Sequence, residues 1–286
     1  MPPVTGDTGA VAVAQVFEKG SGGLADRHAA LAAAGGLTLG DAPPRDFEPI
    51  AVPAPLAPLL PGGIRRGETL ALPGDAPEPA AETTAETTAR TPFGPGTVDY
   101  LTLALLAGAL RQGLWCAAVG VPGLGGAALA GLLGAAALHE GALQRLLVVA
   151  GAGERWAEIA TVLADGVDLI LVRPAGPVPA QTARRLDARL RQGPAEESRH
   201  RAALLVLGAW PGARAVLRVR RLGWSGFDQG VGHLVGGEAV IGAEDRTRRL
   251  RTVQVRLPDG LGAETSLADP PRRGEQPSVR HLTAVA

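Results

Sequence analysis

Residues 167–172, Val167-Asp168-Leu169-Ile170-Leu171-Val172, form the stretch that decides the fold. The run is apolar except for Asp168, and short apolar runs are typical of strands that are covered on both faces of a parallel sheet. An amphipathic segment over residues 154–164 precedes it with apolar residues at helical spacing, and Gly166 marks the end of that segment. The sequence therefore predicts a helix followed by a buried strand.

The same alternation of helix and buried strand extends from residue 69 to residue 207. Further strands are predicted over residues 69–72, 114–121, 144–150 and 203–207, and further helices over residues 99–112, 127–138 and 180–192. After them, residues 215–221, 232–241 and 252–257 alternate apolar and polar side chains, as half-exposed strands do. The predicted class is therefore α/β, with one doubly wound, mostly parallel sheet and an antiparallel C-terminal hairpin appendage.

The chain divides by composition into three parts. These are an N-terminal Ala-, Gly- and Pro-rich segment over residues 1–58, the core domain over residues 59–257, and a polar tail over residues 258–286 that we expect to be disordered. Within the first part we expect a short helix over residues 24–34 and an extended linker over the proline-containing residues 49–58. Within the core, residues 73–96 repeat Ala-Glu-Thr-Thr twice and predict a flexible insertion.

Composition narrows the class of protein further. Of the 286 residues, 46% are hydrophobic and 3% aromatic, which is enough apolar material for a core and excludes fibrous and fully disordered proteins. The single cysteine, Cys116, excludes an intramolecular disulfide and a Cys-rich zinc site, fits a reducing cytoplasmic compartment, and lies in an apolar run that predicts a core position. The five histidines lack metal-ligand spacing, so no metal site is assigned.

The longest uncharged stretch does not predict a membrane span. Residues 113–138 are long enough to cross a bilayer, but Pro122 and the glycines around it favour a strand, a turn and a helix. Residues 1–14 lack the basic and long apolar regions of a signal peptide.

The net charge of zero conceals two oppositely charged regions. Residues 41–99 contain nine acidic residues and four arginines, whereas residues 214–256 contain nine arginines and four acidic residues. Two interpretations of the basic stretch stay open, a solvated face with ordinary ion pairs or a surface for a partner or a nucleic acid.

Two aromatic residues lie in this basic stretch. Trp224 and Phe227 occupy a Gly-rich segment over residues 223–232 that predicts a turn. Arg218, Arg220 and Arg221 come just before it, and Trp and Arg are enriched at protein interfaces and also bind single-stranded bases. These five residues are the candidate partner or nucleic-acid surface, and the alternative is a hairpin tip whose Trp packs on its own core.

Phosphate chemistry in this fold class belongs to the first strand–loop–helix unit. Its degenerate P-loop positions are Gly74, Gly94, Gly96 and Thr97. A P-loop needs a lysine to reach the phosphates, and Lys19 is the only lysine of the chain. Nucleotide hydrolysis is therefore not expected here.

Several of these segments resemble RecA recombinases. Residues 60–68, Leu-Pro-Gly-Gly-Ile-Arg-Arg-Gly-Glu, resemble the entry to the RecA P-loop strand, residues 167–172 its Walker B strand and residues 218–223 its later hairpin. The combination of Trp115-Cys116, Asp165-Gly166-Val167-Asp168, Trp210-Pro211-Gly212-Ala213 and Trp224-Ser225-Gly226 is similar to the ImuA-type accessory proteins of actinobacterial mutasomes.

The resemblance implies a fold and a role. The fold would be RecA-like, and the role would be that of an accessory protein in DNA-damage-induced, error-prone translesion synthesis, the SOS mutagenesis response. The implied partners are a Y-family-polymerase-like protein and an error-prone replicative-type polymerase, with DNA as a further candidate.

Departures from RecA affect every ATPase element. The Walker A lysine corresponds to Thr97 or Val98, the Walker B aspartate to Arg173, and the acidic residue after the second strand to a position near Pro122. Because phosphoryl transfer depends on these charges, we expect no catalytic residue, no cofactor and no ATPase activity. Two alternatives remain, an atypical ATPase that uses Arg65, Arg66 or Arg90, and an unrelated nucleotide- or small-molecule-binding α/β protein.

Overall fold

One sheet of eight strands organises the described part of the chain. The computed structural model describes residues 48–73, 100–192, 201–228, 231–257, 261 and 265–268, and describes the backbone alone for residues 221–228 and 231–235. The strands are β1 (Thr69–Ala71), β2 (Cys116–Val119), β3 (Leu146–Val149), β4 (Leu169–Val172), β5 (Ala203–Val206), β6 (Ala215–Asp228), β7 (Val231–Asp245) and β8 (Leu250–Leu257). The helices are α1 (Tyr100–Arg111), α2 (Gly126–His139), α3 (Trp156–Leu163) and α4 (Ala180–Gln192).

The strand order is β3-β2-β4-β5-β1-β6-β7-β8. Strands β1 to β6 pair in parallel, and β7 pairs antiparallel with both β6 and β8. This arrangement confirms the predicted α/β class, with a mostly parallel sheet and an antiparallel C-terminal hairpin.

Strand β4 shows why the central strands are apolar throughout. Leu169 and Leu171 belong to one hydrophobic cluster, which contains α1 and α2, whereas Ile170 and Val172 belong to a second cluster, which contains α3 and α4. Successive side chains point to opposite faces of a strand, so both faces of β4 are covered by helices. A strand in this position needs apolar residues throughout, and residues 169–172 are all apolar.

The prediction of an extended linker over residues 49–58 is wrong, because residues 48–60 pack into the folded core. Ile50, Val52 and Leu56 are buried in the first cluster, and Ile50 exchanges two backbone hydrogen bonds with Ile64 (2.8 and 2.9 Å). The prolines do exclude regular helix and central strand, but a proline also begins the short 3-10 turn Ala54–Leu56. The apolar residues between the prolines are therefore part of the core.

The tail prediction is also wrong for the residues that the structure describes. Leu261 is buried, and residues 265–268 lie along residues 52–54, where the backbone N–H of Ala268 donates to Val52 (2.9 Å) and that of Ala54 donates to Ser266 (2.9 Å). The pairing involves only a few residues of a polar, Pro-rich segment, too few to give a recognisable strand pattern in the sequence.

Two predicted elements differ in detail. Helix α2 is interrupted at Gly134, whose φ of 74° and ψ of 166° are not helical. The predicted turn over residues 223–232 is too long, because β6 continues to Asp228 and its antiparallel partner β7 begins at Val231. The predicted helix over residues 24–34, the insertion from residue 74 and most of the tail lie outside the described residues.

Two sequence-based expectations concern membranes and metals. No described helix combines the length and apolar character needed to cross a membrane. In the same part of the chain, His, Cys, Asp and Glu side chains do not gather in a group of three that could hold a metal ion.

Candidate functional site

The carboxyl ends of the parallel strands are where a nucleotide would bind in this fold class. The residues that directly follow β1 to β5 are Leu72, Gly120, Ala150, Arg173 and Leu207, and none is acidic. Magnesium prefers carboxylate and other oxygen ligands, which the guanidinium of Arg173 cannot supply. Arg173 thus lies at the end of β4, where the resemblance to RecA placed it; Gly74, Gly94, Gly96 and Thr97 lie outside the described residues.

The backbone at this edge is closely packed between β2 and β4. The Arg173 N–H donates to the Val119 carbonyl (2.9 Å), and Gly120 has a φ of 70°. A Cβ atom at Gly120 would lie 2.7 Å from the Arg173 carbonyl oxygen, so only glycine fits there. The two loops therefore touch backbone to backbone at the end of these strands.

The predicted candidate surface lies along one strand rather than in a turn. Arg218 and Arg220 are exposed on β6, while Val219 between them packs against the first cluster. In the backbone register Arg221 pairs with Val240, Trp224 with Gly237 and Phe227 with Gly232. At about 3.3 Å per residue, Arg218 and Phe227 are about 30 Å apart along the strand. The structure thus brings Arg218 and Arg220 together and spreads the other three toward the tip.

Arg220 lies in a β-bulge and covers a neighbouring glycine. The bulge falls between Val219 and Arg221, and a Cβ atom at Gly242 would lie 2.8 Å from Nε of Arg220 and 3.4 Å from Cδ1 of Leu250. Leu250 is 47% exposed, and among the large apolar side chains that the structure describes only Leu143 is also exposed. This outward side of β6, β7 and β8, which we call the hairpin face, therefore combines arginines with an exposed leucine.

Sequence reasoning missed a buried ion pair at the amino-terminal ends of the parallel strands, opposite the ends where a nucleotide would bind. The Asp168 carboxylate accepts hydrogen bonds from Nη1 of Arg66 (2.7 Å) and from the backbone N–H of Trp115 (2.8 Å). Arg66 also donates to the carbonyls of Glu48 and Arg201. Asp168 is the only charged residue among residues 167–172. Directly and through Arg66, it links the residues that precede β1, β2 and β5.

Trp210, part of one motif quoted for the resemblance, has a structural role. Its indole N–H donates to the buried Asp187 carboxylate (3.1 Å), which also accepts from the Thr69 hydroxyl (2.7 Å). Its ring packs edge-on against Trp156, with centroids 6.2 Å apart. Cys116 is fully buried as predicted; burial raises the pKa of its thiol, and the nearby Asp168 carboxylate raises it further.

Arg214 lies close to several other arginines at this same edge. Its Nε pairs with Glu68 (3.0 Å), and its other nitrogens donate to the carbonyls of Gly63 and Pro61. Burial lowers the pKa of Arg214; Glu68 raises it, and the nearby cations Arg65, Arg251 and Arg246 lower it again. The amino-terminal ends of these strands are therefore rich in positive charge. The count of arginines in the sequence could not show where in the fold they meet.

Part of the chain matches a known protein family. Residues 94–212 match the family described as the MT3502 N-terminal domain, so the chain is similar to that domain over the four helices and strands β2 to β5. No curated protein matches the chain. The matched region includes Trp115, Asp168 and Arg173 and ends before the hairpin of β6 and β7.

Proposed function

We propose that the chain is a non-catalytic RecA-like accessory protein in DNA-damage-induced, error-prone translesion synthesis, acting in the cytoplasm and binding a Y-family-polymerase-like partner. The observation that carries the proposal is Arg173 at the carboxyl end of β4, inside a sheet whose order and apolar strands suit a nucleotide-binding fold. A cation at that position favours the accessory role over the ATPase alternative, because phosphoryl transfer needs bound metal there.

Two further observations support the role. The motifs around Trp115, Asp168 and Trp210 resemble ImuA-type proteins. All three residues lie within residues 94–212, the region similar to the MT3502 N-terminal domain. Asp168 and Trp210 make buried hydrogen bonds, so these motifs preserve the scaffold. The partner would then be bound by surface residues.

The surface proposed for the partner is the hairpin face together with the part of β6 that continues toward Asp228. Arg218 and Arg220 are exposed there, Leu250 offers apolar area, and Trp224 lies farther along the same strand. Interfaces commonly pair a central aromatic anchor with arginines that add specificity and association rate.

The test measures affinity for the purified Y-family-polymerase-like partner together with the melting temperature of each variant. Trp224→Ala is expected to weaken binding about thirtyfold, equivalent to about 2 kcal/mol, and to leave melting unchanged. Arg220→Glu with Arg221→Glu is expected to slow association, because opposite charge no longer steers the encounter.

A matched double variant, Arg184→Glu with Arg185→Glu, reverses two charges on the exposed side of α4 and should bind normally. Unchanged affinity in folded Trp224→Ala and in the hairpin double variant would remove this surface from the proposal. A lower melting temperature with normal affinity would instead assign Trp224 to the core of its own domain.

A further inference from the structure

Arginines occur along one edge of the sheet, which is formed by the amino-terminal ends of β5, β1, β6 and β8 and by the carboxyl end of the antiparallel β7. In the order β5, β1, β6, β7 and β8, the arginines next to that edge are Arg201, Arg66, Arg214, Arg246 and Arg249. The edge is shared because β6 starts where β7 ends, with Ala215 opposite Asp245. Neighbouring strands are about 4.8 Å apart, so these positive charges form a row about 19 Å long.

A cleft of about 240 Å³ opens into this row. Its charged lining consists of Arg66, Arg191, Arg201, Arg246, Glu68 and Asp187, four cations against two anions. Both carboxylates already have partners, since Glu68 pairs with Arg214 and Asp187 accepts from Thr69 and Trp210. The cleft therefore presents a net positive field to a ligand.

Two guanidinium groups at the cleft, those of Arg246 and Arg66, are held in place by backbone carbonyls. Nη2 of Arg246 donates to Gly212 (2.8 Å), and its Nε donates to Ala213 (3.3 Å). Arg66 is similarly fixed, with a side chain that is 4% exposed. Groups that are already ordered lose less conformational entropy when a ligand binds, so they suit an anion that must be recognised by charge.

The turn between β7 and β8 adds exposed arginines to the row. The Asp245 carboxylate accepts hydrogen bonds from the hydroxyl and N–H of Thr247 and from the N–H of Arg249, which fixes the turn. Arg248 has a φ of 59°, a left-handed conformation that glycine or asparagine adopts at lower cost. The turn keeps arginine at this strained position and exposes Arg246, Arg248 and Arg249 to solvent.

Arg66 and Arg214 are engaged with Asp168 and Glu68. The other arginines around the cleft are Arg191, Arg201, Arg246, Arg248 and Arg249, which we call the amino-edge arginine row. We propose that this row binds the phosphate backbone of single-stranded nucleic acid. Several guanidinium groups along one edge suit a chain of repeated phosphates, each of which arginine can bind through two parallel hydrogen bonds. The inference goes beyond the proposed function and does not require the polymerase-like partner.

The test is a titration of the full chain with a fluorescent 30-nucleotide thymidine oligonucleotide at several salt concentrations. Arg248→Gln with Arg249→Gln is expected to reduce the slope of log affinity against log salt by about 1.4, which is about 0.7 for each phosphate that the variant no longer neutralises. The matched control, Arg184→Gln with Arg185→Gln, removes two exposed arginines outside the row and should keep the slope. Both variants should melt at the wild-type temperature.

Three results would overturn the proposal. The first is a wild-type chain that does not bind the oligonucleotide, or binds it without salt dependence. The second is an equal loss of affinity in the row variant and in the control. The third is a loss of affinity confined to Arg218→Gln with Arg220→Gln, which would move the site to the hairpin face. Normal capture of the polymerase-like partner by the row variant would keep this test separate from that of the proposed function.

Discussion

At the scale of single residues, Asp168 shows what a local pattern can and cannot predict. The apolar run around it predicts strand β4, and the structure confirms that strand. The role of the carboxylate could not be predicted, because its partner Arg66 lies 102 residues away in sequence. Only the strand order, which places β1 near β4, brings the two charges together.

Removing the Asp168 carboxylate should destabilise the fold strongly. Asp168→Ala leaves the Arg66 guanidinium buried without its anion and the Trp115 N–H without its acceptor, and a broken buried ion pair costs about 3–5 kcal/mol of unfolding free energy. Urea denaturation measures the change. The matched control is Glu158→Ala, which breaks the exposed Arg155–Glu158 pair and should cost less than about 1 kcal/mol. Similar small losses of stability in both variants would contradict the assigned role.

At the scale of elements, glycine explains why one predicted turn is too long. Residues 223–232 are rich in glycine and therefore predict a turn, yet β6 continues to Asp228 and β7 begins at Val231. In the ladder Trp224 pairs with Gly237 and Phe227 with Gly232, so each large residue stands opposite a glycine in the register. Glycine within a strand often marks a bulge or a close approach, and single-sequence reasoning cannot distinguish that use from a turn.

Residues 265–268, which pair with residues 52–54, are expected to stabilise the fold. Leu267 forms a bridge with Pro53 and lies beside Gly108 of α1, while Arg111 donates to the Thr265 carbonyl (2.9 Å). A chain that stops after Asp259 should melt at a lower temperature than the full chain, because the buried Leu261 and this pairing are lost. A chain that stops after Asp269 should melt like the full chain, and equal melting of both shortened chains would show that the segment adds no stability.

At the scale of the whole molecule, the two helical layers follow from sequence, whereas the sites do not. Continuous apolar runs predicted strands covered on both faces, and the two core clusters confirm that arrangement. The amino-edge arginine row could not be predicted, because its members come from segments that are far apart in sequence and meet only through the strand order. The similarity to the MT3502 N-terminal domain covers the layered half of the molecule and ends before the hairpin.

In the proposed function, the chain supports damage-induced mutagenesis without hydrolysing nucleotide. The most direct measurement is the frequency of ultraviolet-induced mutations in cells of the source organism from which this chain has been deleted. We predict that the frequency falls on deletion and is restored equally by the wild-type chain and by Thr97→Ala with Arg173→Ala, since neither residue serves catalysis. An induced frequency that deletion leaves unchanged, or that the double variant fails to restore while remaining folded, would contradict the account.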